Sequence, residues 1–221
     1  MSSLYTIGQM NELADAFEAD GFTPDLLKAL TSRGRLTGVK AVLEGRAEIT
    51  MVEVKVPEPK KIVPVSLKEV TSDGVNGKDG IKDLEKARYN LGDYAKDVMK
   101  KDAYVVSNGK VYKPVVLKGE AFTDDERVTA NIRKVAAEMG LITPPAELAR
   151  LLRKSVSDEE IAAMGLYWLI VMHEPITDSD GNPIVLGLDR HDEGRWLGAC
   201  LGRSGDGWFR EGGFVFLAPQ E

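Results

Sequence analysis

Three constellations in this sequence carry side chains able to do chemistry. His173–Glu174 begins like the helix signature of a zinc protease, in which two imidazoles one helical turn apart share a metal. No second histidine follows at that spacing, and Pro175 comes directly after a strand-like apolar run. The pattern therefore predicts a strand-end histidine held by local hydrogen bonds. Asp178, Asp180 and Asn182 alternate as the oxygen ligands of a calcium loop do. Pro183 occupies the place of the sharp-turn glycine, and Asp189 rather than a glutamate falls at the closing position. An Asp-Gly turn accounts for the same residues without a metal. The third constellation is Cys200 as a nucleophile with His173 or His191 as its base. Isolated cysteines are more commonly buried packing residues. No Gly-x-Ser-x-Gly elbow, phosphate loop or dinucleotide fingerprint is present. The expectation is no catalytic residue, no metal and no cofactor, with a small Cys/His-dependent hydrolase or transferase as the alternative.

The elements that position these residues belong to a chain of 221 residues, formal charge −6 and 43% hydrophobic content. That is ordinary globular composition, enough for one large domain or two small ones. The acidic balance argues against nucleic acid as a partner, because phosphate binding needs clustered Lys and Arg. One cysteine excludes an internal disulfide and any cysteine-only metal site. The N-terminus has no basic segment followed by an apolar one, and the apolar run Leu166–Met172 is far shorter than a membrane span. A cytoplasmic protein with no membrane partner is expected, with its oligomeric state open.

Residues 1–56 read as a small helical module. Met10, Leu13, Ala14 and Phe17 keep helical spacing, Thr23-Pro24 opens a second helix, and Thr37 begins a third that Gly45 ends. Gly34 is the expected stop of the second helix, and residues 48–56 alternate like a strand. Five Lys/Arg against seven Asp/Glu in the first fifty residues favour packing or assembly over DNA reading. Residues 57–101 read as a linker and a connecting helix, with Ile81, Leu84, Leu91, Tyr94 and Val98 on one stripe and Gly92 its weak point.

From residue 102 the pattern changes. Two β-rich runs around Asn108–Gly109 predict a hairpin. Thr123 and Glu126 form a capping box ahead of a helical face of Val128, Ile132, Val135, Ala136 and Met139. A second helix follows Thr143-Pro144, and a third opens at the Ser157–Glu160 box. A buried strand over Leu166–Met172 then precedes three short strands separated by glycine-rich loops. This order predicts an α+β domain over 102–221 whose last strand lies centrally or beside the one near Val115.

The tail holds two of the three tryptophans, Trp196 and Trp208, among many glycines. Its order resembles the C-terminal half of a C-type lectin fold, in which the last strand returns beside the first. In detail it resembles the variable proteins of diversity-generating retroelements, which end in a Gly-Trp or Ser-Trp segment, an Ala/Cys-Arg region, a varied loop and a closing Gly-Phe strand. The counterparts are Gly194-Arg195-Trp196, then Ala199-Cys200 with Arg203, then Ser204 to Gly212, then Gly213-Phe214-Val215-Phe216. The related formylglycine-generating enzymes use paired cysteines, which this chain lacks. The resemblance implies a non-enzymatic protein binding a protein or other macromolecular ligand through its C-terminal loops, with a phage-derived assembly role as a further alternative. The expected ligand-binding residues are Asp189, His191, Asp192, Glu193, Gly198, Cys200, Leu201, Arg203, Asp206, Trp208, Phe209 and Glu211. Tryptophan and arginine dominate binding hot spots, and binding residues favour loops on a rigid scaffold. Trp196 is expected in the core, and Trp208 is expected exposed.

Overall fold

The computed structural model describes residues 6–31, 35–48, 62–191 and 194–219. The chain divides into two compact units, Met1–Pro57 and Glu58–Glu221. The first contains helices Ile7–Ala19 (α1), Pro24–Thr31 (α2) and Arg35–Leu43 (α3). Thr6 and Gln9 cap α1 reciprocally, a box not read from the sequence. Thr23 Oγ1 accepts the Leu26 N–H at 3.3 Å, as the Thr-Pro signal predicts. The third helix begins at Arg35, ahead of Thr37, and Gly45 follows it at φ +70°. Neither α1 nor α2 has a buried residue, and Ile7, Met10, Leu13 and Leu26 remain exposed. The expected Gly34 stop and residues 49–56 of the strand expected over 48–56 lie outside the described residues.

The second unit is a mixed α+β body. Its elements are Val65–Ser66 (β1), Val70–Asp73 (β2), Gly77–Lys86 (α4), Asn90–Leu91 (β3), Asp93–Met99 (α5), Asn108–Tyr112 (β4) and Pro114–Lys118 (β5). Then come Thr129–Glu138 (α6), Glu147–Ser155 (α7), Asp158–Ala163 (α8), Trp168–Val171 (β6), Ile176–Thr177 (β7), Pro183–His191 (β8), Gly194–Leu201 (β9) and Gly212–Leu217 (β10). The main sheet runs β1-β5-β10-β6-β8-β9-β3, with β7 added beside β8. Strand β10 is antiparallel to β5, pairing Val215 with Val116, and parallel to β6. The last strand thus lies where the sequence places it. A second, two-stranded sheet joins β2 to β4.

Alternation along the central strands divides the core into two layers. Val116, Leu169, Leu186, Leu188, Leu197, Val215 and Leu217 pack with Leu84, Val98, Leu148, Leu152 and Ile161 of the helices on one face. Val115, Leu117, Ile170, Val185, Phe214 and Phe216 pack on the other with Phe122, Ile132 and Ala136. Among the described residues no helix is long and apolar enough to cross a membrane.

Several expectations need correction. Residues 65–99 are part of this body rather than a linker: Leu84, Ala95 and Val98 are fully buried in its core. The single connecting helix is two, because Arg88 takes φ 62° and Asn90–Leu91 pairs with Trp196–Leu197. The break comes after Lys86, ahead of the expected weak point Gly92, which is the N-cap of α5. No hairpin forms about Asn108–Gly109. Instead β4 pairs with β2, and the preceding residue gives its Ser107 N–H and Oγ to Glu147 of α7. The Thr123–Glu126 capping box does not form: Thr123 donates its N–H and hydroxyl to the Glu126 carboxylate in a turn, and α6 begins only at Thr129. The Ser157–Glu160 box does open α8.

A chain beginning at Glu58 is expected to melt cooperatively, whereas one beginning at Asp102 loses Leu84, Ala95, Val98 and Met99 from the core and does not fold. Each lost large core side chain costs about 2–5 kcal/mol, against a total stability of about 5–15 kcal/mol. Circular dichroism melts of the two truncations decide it, and cooperative melting of the shorter one would restore the linker reading.

Candidate functional site

Strands β6, β8 and β9 lie side by side, so residues in register share one face. Trp168 pairs with Asp189 and Asp189 with Trp196, while Val185 pairs with Cys200. As alternation requires, Cys200 packs on the Phe214 side of the sheet and Leu197 and Ala199 on the other. Above this row runs the loop from Gly202 to Glu211. Together they enclose a cleft of about 490 Å³ lined by Trp168, Asp189, Cys200, Leu201, Asp206, Gly207, Trp208 and Phe209.

The loop is held rather than free. The N–H groups of Thr129 and Ala130, which open α6, donate to the Asp206 and Ser204 carbonyls at 3.0 and 2.9 Å. Helix-terminal donors with no partner inside the helix thereby find one in the site loop. Trp208 donates its indole N–H to Thr129 Oγ1 at 2.9 Å, and its backbone N–H to the Arg127 carbonyl. Buried Arg127 donates to the carbonyls of Gly119 and Phe122, tying the loop's neighbour to the end of β5. The Trp208 ring stands edge-on to Phe214 at 5.9 Å, and Phe209 stands edge-on to Trp168 at 5.9 Å. Trp208 is therefore a half-buried anchor rather than an exposed ring, and Trp196 is half-buried rather than core.

Asp189 governs the electrostatics. Its side chain lies across Gly198, where an added Cβ would come within 2.0 Å of Oδ2. Burial raises its carboxyl above the usual carboxylate range, while the charges of His191 and Arg153 pull it back down. Arg153 itself is committed to Asp158, to the Val156 carbonyl and, more weakly, to the backbone carbonyls of Asp189 and Trp196. The Cys200 thiol is pushed up to about 12, first by burial and then by Asp189. It stays protonated at neutral pH and is a poor nucleophile.

The structure brings together Asp189, Cys200, Leu201, Asp206, Trp208 and Phe209 of the predicted residues. Gly198 is buried beneath Asp189, so it makes room for the site instead of touching a ligand. His191, Arg203 and Glu211 are exposed outside the cleft, and Arg203 turns to Asn182 Oδ1 at 3.1 Å. Asp192 and Glu193 lie outside the described residues. Sequence reasoning missed Trp168, the opposing wall, because the run Leu166–Met172 that contains it reads as wholly buried. Its position two residues before Ile170 on the same face was the available signal.

A larger cleft of about 1040 Å³ is lined partly by Glu147, His173 and Glu174. Its chemistry is already engaged. His173 donates from Nδ1 to the Glu174 carbonyl at 2.7 Å and accepts the Leu186 N–H at Nε2 at 2.9 Å. Burial pushes its pKa down to about 4. Glu147 accepts from Ser107 and from the Tyr112 hydroxyl. The acidic turn is likewise internal: Asp178 accepts from the Asp180 and Asn182 N–H groups at 2.9 and 2.7 Å, and Gly181 takes φ +85°. Comparison of the chain with family models, curated proteins and solved structures finds no match.

The raised Asp189 pKa has a definite consequence for stability. The folded protein holds this proton more tightly than the unfolded chain, so the associated stability is present at low pH and lost as pH rises through the folded value. At neutral pH the ionised carboxylate is a cost that Asp189→Asn removes. The substitution is expected to raise Tm at pH 7. The gain should shrink as pH falls toward about 4, the ordinary aspartate value. An Asp189→Asn protein that melts lower at pH 7 would contradict this account. Cys200 should also react with iodoacetamide at pH 7 at least about tenfold more slowly than free cysteine, with its pKa of about 8.5. Mass spectrometry follows that reaction, and alkylation as fast as the free amino acid would oppose the thiol assignment.

Proposed function

We propose that the chain is a non-enzymatic binding protein. Its recognition surface is built from β8, β9 and the loop 202–211 on a C-type-lectin-like scaffold, and it is varied by a diversity-generating retroelement. The observation that carries the reading is the cleft itself, where residues from a β-strand pair and the following loop converge on one side of a rigid sheet. The scaffold reading is supported by β5 and β10 lying adjacent and antiparallel, with α6 and α7 between β5 and the β6-β8-β9 strands. The β2–β4 sheet and α4–α5 are additions to that plan.

The Cys/His hydrolase alternative draws little support from the geometry. Both nitrogens of His173 are bound to backbone groups, and the Cys200 thiol is held protonated. The exposed apolar side chains of α1 and α2 fit a module that assembles with another surface, which leaves an assembly role for the first unit compatible with binding by the second.

Two measurements test the proposal. Replacing Leu201, Arg203, Phe209 and Glu211 together by serine should lower Tm by no more than about 4–8 °C, because exposed substitutions usually cost about 0.5 kcal/mol or less each. Sequencing the gene's flanks and its copies should find a reverse transcriptase gene, a near-copy of the 3′ end, and differences confined to codons matching adenines in that copy. Collapse of the combined variant, or copies differing mainly at core positions such as Phe214 and Leu188, would sink it.

A further inference from the structure

The cleft lining has a distinctive chemistry. Trp168, Trp208 and Phe209 supply three aromatic rings, and Asp189 and Asp206 supply two carboxylates. Among the described residues no Lys or Arg lines it. Three nearby cations are engaged by other groups: Arg153 is held by Asp158 and by backbone carbonyls, Arg203 bonds Asn182, and Arg190 lies over Tyr167 at 5.0 Å while donating to the Leu166 carbonyl, although the charges of His191 and Arg153 still act on Asp189. His191 is exposed, and its ring lies 5.9 Å from that of Trp196.

From this arrangement we infer that the cleft binds an arginine or lysine side chain of a protein partner, its stem between the rings and its charge at Asp189. The inference rests on the binding reading above and names what that surface takes. The π-faces of tryptophan and phenylalanine attract a cation within about 6 Å of the ring centre, and desolvation strengthens the attraction. Asp189 offers a half-buried carboxylate with no hydrogen-bond donor on it among the described residues. Its burial makes a charge-assisted hydrogen bond to a ligand stronger than one at the surface. Asp206 plays a different part: one of its oxygens accepts the Arg203 N–H at 2.9 Å, so it shapes the loop while adding to the negative potential.

A protein is the source, rather than a free small cation, because the apolar rim extends past the cleft. Phe209 is 71% exposed, Tyr167 53% and Leu201 41%, and all three flank the opening or the Trp168 wall. A small cation seated between the rings leaves this rim in water. A partner surface carrying the basic side chain covers it, as hot-spot anchors are ringed by contacts that exclude water.

The test uses the full chain and the indole N–H signals of its three tryptophans in two-dimensional NMR. The probes are Nα-acetyl-arginine amide, the neutral isostere Nα-acetyl-citrulline amide, the uncharged Nα-acetyl-norleucine amide, and tetramethylammonium. The arginine amide is expected to shift the Trp168 and Trp208 signals saturably, and citrulline amide to bind at least about fivefold more weakly. Asp189→Asn should weaken arginine-amide binding about tenfold, and Phe209→Ala about threefold. Asp189→Asn is expected to be the more stable protein, so its loss of binding cannot be loss of fold. Equal binding of arginine and citrulline amides, or no effect of Asp189→Asn, overturns the inference, as does the absence of any shift. Tighter binding of tetramethylammonium than of arginine amide overturns the side-chain source. If norleucine amide binds as well as arginine amide and Phe209→Ala removes both, the cation assignment falls while the recognition surface stands.

Discussion

The second unit depends on burying its last strand from both sides. Strand β10 lies between β5 and β6, with Phe214 and Phe216 in one layer and Val215 and Leu217 in the other. A terminal segment in that position joins both core layers, and it also fixes the two things beside it. At its start, Gly212 passes so close to Trp168 that an added Cβ would lie 2.7 Å from the indole nitrogen. That contact sets one wall of the cleft. Phe214 in turn supports Trp208, the other wall, and Phe122, whose carbonyl Arg127 holds. The site is thus assembled on the strand that closes the fold.

Loop 202–211 gains order from the same economy of contacts. A helix start leaves N–H groups without intrahelical partners, and α6 has no side-chain cap. Its first donors are satisfied by loop carbonyls instead. One set of hydrogen bonds therefore caps a helix and pins the loop 202–211. Pre-organisation of this kind lowers the ordering cost of binding, which otherwise consumes much of the interaction energy.

The sequence makes the tail more legible than the middle. Alternation in Phe214–Leu217 and in Leu197–Cys200 follows from burial on a pleated sheet, and local pattern is enough to assign those faces. The Ser157–Glu160 box is also purely local, and it forms. The misreadings share a different cause. Ile81 to Val98 keep a helical stripe, yet pairing of Asn90–Leu91 with β9, distant in sequence, breaks it. Asn108–Gly109 carries a hairpin signal, but Glu147 takes the donors of Ser107 and β2 takes the strand. Long-range partners decided these segments, and no short window contains them. In the site, loop residues such as Trp208 and Phe209 were legible from composition. Trp168 was not, because its role exists only through its register with Asp189.

Buried Asp178 and half-buried Asp189 are held in different ways. Asp178 accepts from two backbone N–H groups and from the Asn182 side chain, so its charge is neutralised by the turn it builds. Asp189 is half-buried, and no hydrogen-bond donor meets its carboxylate among the described residues. A buried charge without donors is costly, and a fold under selection for stability alone would replace it. Gly198 is kept clear so that this carboxylate can lie over the sheet, and three rings stand around the space it faces. An acid that destabilises its own fold, with room made for it and aromatic walls about it, fits the proposed binding of a basic side chain.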